Sequence, residues 1–229
     1  MVMPRAGKFT EGELLGVYRA IRERRDVRSG FLPEPLSDPV VYRLLEAAHH
    51  APSVGLMQPW RFILIRAIEI RQAVHDIFLR SNQAALDIYE GARAQKYASL
   101  KLEGILEAPQ NLCIVCNPHC ERGHRLGRHS MPETAIYSAV CAVQNLWLAA
   151  RAEGIGVGWV SILDKEALQS VLHVPENIVP VAYLCLGYVG HFRAEPDLER
   201  AGWEQRIPLE QVLAFEQYDP RWSAEEDKG

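Results

Sequence analysis

The sequence predicts one α+β or α/β unit, a single sheet covered by helices. Two observations carry that expectation: helical and strand-length apolar patterns interleave along the 229 residues, and no repeat, low-complexity tract or Pro/Gly/Ser linker divides them. At 48% hydrophobic residues the chain can bury a full core.

The elements follow in order. Thr10 and Glu13 form a capping-box pair, each side chain serving an N–H left free at a helix start, and that helix runs to about Arg24. A second helix begins near Ser37-Asp38-Pro39, with proline at the first helical position, where its missing N–H costs little. Val40, Val41, Leu44, Leu45 and Ala48 recur there at helical spacing, and Pro52 ends it. Residues 61–66 read as a short buried strand. Residues 67–107 are mostly helical in composition, broken around Ser81-Asn82 and Gly91. A second strand covers 111–116. Ile136, Val140, Val143, Trp147 and Ala150 mark one long helix over 133–153, closed by Gly154. Strands at 156–162 and 180–190 bracket a short helix that Asp164 can cap. Residues 191–229 are polar and proline-containing.

Net charge is −4, which gives no electrostatic case for nucleic acid or an anionic membrane. No stretch approaches the roughly 18 apolar residues of a membrane span. Met1-Val2-Met3-Pro4-Arg5 lacks the apolar core of a signal peptide, and five cysteines in a chain this long are no disulfide framework. The expected compartment is the cytoplasm.

Two segments carry chemistry. Arg22-Glu23-Arg24-Arg25-Asp26-Val27-Arg28 gathers four arginines where a helix gives way to a turn. The planar guanidinium fork suits a phosphorylated ligand, although taken alone the cluster also reads as a solvated helix end. Asp26 within it is available as a base or hydrogen-bond acceptor. About 25 residues on, Ala51-Pro52-Ser53-Val54-Gly55-Leu56-Met57-Gln58-Pro59-Trp60 fixes a loop whose Ser53 and Gln58 offer hydrogen bonds to a planar heterocycle.

Together, the R-R-x-x-R turn and the A-P-S-x-x-x-x-Q-P-W loop resemble the nitroreductase-like flavoprotein family. The resemblance covers about residues 9–215. It implies an α+β nitroreductase-like fold with a central mixed β-sheet flanked by helices, one FMN-binding domain over 1–229, and a C-terminal arm over 191–229 reaching across a homodimer. Within the family the chain is similar to the 5,6-dimethylbenzimidazole synthases rather than to ordinary nitroreductases. Asp26 stands where those commonly carry serine, and Leu56 where they commonly carry a flavin-contacting asparagine. The stretch from Tyr137 to Gly154, then Gly158-Trp159-Val160-Ser161, and Gly202-Trp203-Glu204-Gln205-Arg206 are also similar to the synthases.

That resemblance implies that reduced FMN is consumed as substrate, with O2 as co-substrate, to give dimethylbenzimidazole, the lower ligand of vitamin B12, and a phosphorylated four-carbon sugar. A separate flavin reductase would supply the reduced FMN. Asp26 and Ser161 are the expected catalytic residues. Arg24, Arg28 and Arg206 are expected at the phosphate and ribityl chain, and Arg25, Val27, Pro52, Ser53, Met57, Trp159 and Val160 elsewhere around the flavin. Leu102 is expected to approach it from a lid within 67–107. An NAD(P)H-dependent nitro- or flavin reductase is the alternative, and a metal- or flavin-binding module without catalysis a third.

Two further patterns compete with these. Gly154-Ile155-Gly156-Val157-Gly158 follows a helix and precedes a strand, the reverse of a dinucleotide fingerprint, and reads as a helix stop and tight turn. Cys113, Cys116, His119, Cys120, His124 and His129 have spacing that suits zinc, but residues three apart on a strand face opposite sides, so no metal site is expected. His49-His50 reads as a helix terminus, and Trp147 as a core or dimer-interface residue.

Overall fold

A computed structural model describes residues 7–220 and 222, so the Met1–Arg5 start lies outside the described residues. Helix α1 (Glu11–Glu23) opens on the expected capping box: the Glu13 N–H donates to Thr10 Oγ1 at 3.4 Å and the Thr10 N–H to the Glu13 carboxylate at 2.8 Å. It closes where the Arg24 N–H reaches Ala20 O and the backbone turns extended. Helix α2 (Asp38–His49) lays Val41, Leu44 and Ala48 against the long α5 (Thr134–Ala152).

Four strands form the sheet: β1 (Trp60–Ile65), β2 (Gln110–Cys116), β3 (Ile155–Val160) and β4 (Val179–Tyr188), in the order β1-β2-β4-β3. Every pair of neighbours is antiparallel. The expected mixed sheet is therefore antiparallel throughout its named strands, and parallel pairing enters only as a bridge from Asp26 to Val157. Side chains alternate between two cores. Leu112, Ile114, Cys116, Leu184 and Leu186 face α2 and α5, while Cys113, Val115, Tyr183 and Cys185 face α3 (Ile68–Leu86) and α6 (Lys165–Val171). Each fully buried leucine or isoleucine in these layers contributes about 1.5–3 kcal/mol.

Strand ends fall within two residues of expectation, the usual uncertainty of such boundaries. The Asp164 carboxylate caps α6 by accepting from the Ala167 N–H at 2.7 Å. The helical reading of 67–107 is corrected. Helix α3 runs unbroken through Ser81 and Asn82, because those side chains bond outward: Ser81 Oγ accepts from the Asp164 N–H and Asn82 Oδ1 from the Tyr97 hydroxyl. Helix α4 (Gly91–Ala98) is short, and residues 99–109 are not helical.

The chain divides into two units, Met1–Pro196 and Asp197–Gly229. In the second, α7 (Asp197–Arg200) is a single turn, and the Trp222 indole donates to Gln211 O at 2.7 Å. Among the described residues no helix is long and apolar enough to cross a membrane.

Candidate functional site

After α1, residues 24–32 form a strap that lies along the outer edge of β3 at Asp26 and Val27 and reaches the end of β4 at Phe31 and Leu32. The Val27 N–H donates to Val157 O at 2.9 Å, and farther on the Leu32 N–H donates to Tyr188 O at 2.8 Å. Two glycines of β3 make this approach possible. A Cβ on Gly158 would stand 2.1 Å from Val27 O, and one on Gly156 2.7 Å from Val189 Cγ1. Gly158 thus leaves room for the strap backbone, and Gly156 for the Val189, Phe31 and Val27 side chains, so the two make one lane along the strand. Of the glycine run read as a turn, Gly154 does stop α5 at φ +76°, while Gly156 and Gly158 serve this lane.

The strap holds Asp26 from two sides. Its Oδ1 accepts from the Trp159 N–H at 2.9 Å, and its Oδ2 accepts from Arg28 Nε at 3.0 Å and Nη2 at 2.6 Å. The Arg28 side chain is 14% exposed and that of Asp26 29%, so the pair is shielded yet open to a ligand. Arg24 stacks its guanidinium over Trp147, 5.1 Å from the ring centroid, and makes no ion pair among the described residues. The Trp147 indole donates to Arg25 O at 3.1 Å and packs near the Trp159 ring, centroids 6.3 Å apart. Arg25 itself is a strut. It donates to the carbonyls of Arg22, Arg24 and Ala194, which turns it away from a ligand role.

Beyond Trp159, Val160 is buried, and Ser161 is exposed at the end of the strand. Ser161 borders a cavity of about 240 Å³ also lined by Leu163, Lys165, Leu168 and Tyr183. Leu102 lies in the non-helical segment after α4, half-buried, beside Lys101, whose carbonyl accepts from Arg28 Nη1 at 3.5 Å.

The 52–60 loop is pinned elsewhere. Gly55, Leu56 and Gln58 take φ of +59°, +51° and +45°, a run of left-handed backbone of the kind that clusters at functional sites. Ser53 Oγ accepts from the Gln58 N–H at 3.2 Å, and the Val54 N–H donates to Ser138 Oγ at 3.2 Å. Pro52 and Leu56 are exposed. Met57 is fully buried, so its side chain is core rather than ligand-facing, as is that of Val160. Ser138 precedes Trp147 by nine residues on α5, which separates the loop's anchor from the Arg24 platform by about 13 Å along the helix. The structure thus brings Arg24, Asp26, Val27, Arg28, Trp159, Val160 and Ser161 together and leaves Pro52, Ser53 and Met57 at the other end of α5. Arg206 belongs to the second unit.

Cys113 and Cys116 are core residues. They lie in opposite cores, and burial pushes their thiols up to about 12 and about 11, the second with help from neighbouring Cys120. Among the described residues no three His, Cys, Asp or Glu side chains converge as a metal site. His49 Nδ1 accepts from the Trp60 indole at 3.1 Å. Sequence reasoning missed the platform role of Trp147 and the β3 lane. The alternate glycines were the available signal for the lane; nothing local marks Trp147.

Comparison with known proteins gives four concordant matches. The Nitroreductase family model matches residues 21–188. The 5,6-dimethylbenzimidazole synthase of Rhodospirillum rubrum is 47% identical over 193 residues, covering 84% of this chain and 91% of the relative. Among solved structures, iodotyrosine deiodinase bound to FMN and 3-iodo-L-tyrosine superposes with a TM-score of 0.71 at 18% identity, covering 88% of this chain and 100% of the other. A BluB-like flavoprotein from Clostridium difficile 630 does so at 0.65 and 19%, covering 88% and 99%. At such identities these structures establish the fold.

Proposed function

The chain belongs to the nitroreductase family, and from that premise we propose that it fragments reduced FMN with O2 to 5,6-dimethylbenzimidazole, the lower ligand of vitamin B12. The observation that carries the reading is the Asp26 carboxylate, fixed by the Trp159 N–H and the Arg28 fork at the strap where an ordinary nitroreductase commonly carries serine.

The residues present fit a flavin mononucleotide. A guanidinium stacked on an indole and paired with no carboxylate among the described residues, Arg24, is a ready phosphate ligand, and Arg28 lies four residues on. When bound, reduced FMN supplies both the electrons for O2 and the ring carbons of the product. Arg24 and Arg28, joined by Arg206, anchor the phosphate and ribityl groups. Asp26 takes up and returns protons at its carboxylate, a role worth about 10²–10⁴-fold in rate. Ser161 directs later proton transfers from the end of β3. Val27 and Arg25 hold the strap in place, and Leu102 closes the site against water. The 52–58 loop, too far along α5 to meet the strap of its own chain, lies along the ring in a homodimer, where a partner's copy completes each site. The chain then works as one FMN-binding domain, its 191–229 segment an arm over the partner. The reduced FMN comes from a separate reductase, in the cytoplasm.

Anaerobic loading with reduced FMN, followed by oxygen and mass spectrometry, tests the reading. Dimethylbenzimidazole formed in step with flavin loss supports it. Intact oxidised FMN as the only flavin product would refute it and favour NAD(P)H-dependent reduction.

A further inference from the structure

We propose that Glu107 is a positioning residue for Asp26 and Arg28, acting through the backbone of Gly30 and Phe31; the inference rests on the function proposed above. Glu107 is an exposed carboxylate that pairs with no cation among the described residues. Its Oε1 instead accepts two backbone N–H groups, from Gly30 and, at 3.1 Å, from Phe31. Such charge-assisted bonds to main-chain donors are stronger than neutral ones, and here both go to the far end of the strap.

That end needs holding. Asp26 and Val27 are tied to Val157, but Ser29 and Gly30 are exposed, and Gly30 adopts φ +80°, where a glycine hinges freely. Phe31 is the other anchor, 7% exposed and seated among three glycines. A Cβ on Gly104, Gly187 or Gly156 would come within 2.8, 3.0 or 3.3 Å of its ring. Gly104 belongs to the same non-helical segment as Glu107, so the carboxylate and the glycine notch grip Phe31 from one side.

The segment is rigid in its own right. The Glu103 carboxylate accepts from the Ile105 N–H at 2.7 Å, the Ala108 N–H donates to Gly104 O at 2.9 Å, and Arg71 donates to Ala108 O. Arg28, between the two anchors, bonds both Asp26 and, at 3.5 Å, Lys101 O of this segment. Leu32 stays bonded to Tyr188 O and the Phe31 ring stays seated, so loss of Glu107 loosens the Gly30 turn between them and Asp26, and lets the Arg28 fork drift from the carboxylate it aligns.

The test is a single turnover with enzyme in excess over reduced FMN, reading the fraction of flavin that becomes dimethylbenzimidazole. Enzyme is kept well above the FMN dissociation constant titrated for each variant, so all the flavin is bound and a partial loss of folded protein leaves the fraction unmoved. In Glu107→Ala it should fall by roughly tenfold or more, since small misplacements cost up to about 10²-fold. Glu107→Gln keeps a carbonyl acceptor and should restore it. A wild-type fraction in Glu107→Ala, or equal damage in both variants, overturns the proposal. Should the wild type return only oxidised FMN, the proposed function falls by itself. The clamp is then judged by amide exchange across Asp26–Phe31, which must quicken in Glu107→Ala and not in Glu107→Gln.

Discussion

Alanine at Gly158 is the sharpest test of how the site is built. Its Cβ would stand 2.1 Å from the Val27 carbonyl oxygen, against 3.4 Å for ordinary contact, so strap and strand must part by about 1.3 Å, the difference between the two. The obstacle is backbone, which cannot swing aside as a flexible side chain would. The 2.9 Å bond from the Val27 N–H to Val157 O then stretches beyond hydrogen-bond range. Overpacking of this kind costs about 1–3 kcal/mol and the lost bond about 1 kcal/mol more, for roughly 3 kcal/mol in all. In a domain of this size that lowers Tm by about 6–12 °C. Asp26 moves with the strap, so product formation should fall by about 10²-fold. Gly12, which has open space around it on α1, supplies the control: Gly12→Ala should leave Tm level or slightly raised. Thermal melts and single-turnover product yields on both variants decide the matter. Wild-type melting and yield in Gly158→Ala would refute the idea that the strap is seated on β3.

Three other outcomes are expected. Asp26→Asn keeps an acceptor for the Trp159 N–H but sets an amide against Arg28; product yield should drop by about 10²–10⁴-fold while FMN titration shows binding largely retained. Equal yield would remove Asp26 from the mechanism. Ser161→Ala, at an exposed position, should divert flavin to simple reoxidation without changing Tm, and an undiminished yield would show that the hydroxyl plays no part. Thiol labelling at pH 8 should reach Cys141, the half-exposed cysteine, well before Cys113 and Cys116. Burial keeps the latter protonated far above that pH, so their prompt modification in the native protein would contradict the two-core packing.

What the sequence discloses is what is local. Thr10 with Glu13, and Asp164 before α6, signal their helices because a cap lies within one turn of the donor it serves. The β2 alternation is legible because each face of that strand meets its own core. Ser81 and Asn82 mislead because nothing nearby says that their polar groups reach Asp164 and Tyr97 instead of ending α3. Residues 99–107 mislead likewise: helical in composition, they are shaped by bonds to a strap some seventy positions earlier in the chain. At the site, the arginine turn declares itself by charge. The Trp147 platform does not, since an apolar residue on a buried helix looks the same whether or not a guanidinium rests on it.

With the order β1-β2-β4-β3, the outer side of β3 is a sheet border whose free N–H and C=O groups would invite a strand from another molecule. Asp26 and Val27 cover part of that border. Whatever loosens the arginine turn therefore also opens a template for aggregation, and clumping in concentrated samples should accompany loss of activity.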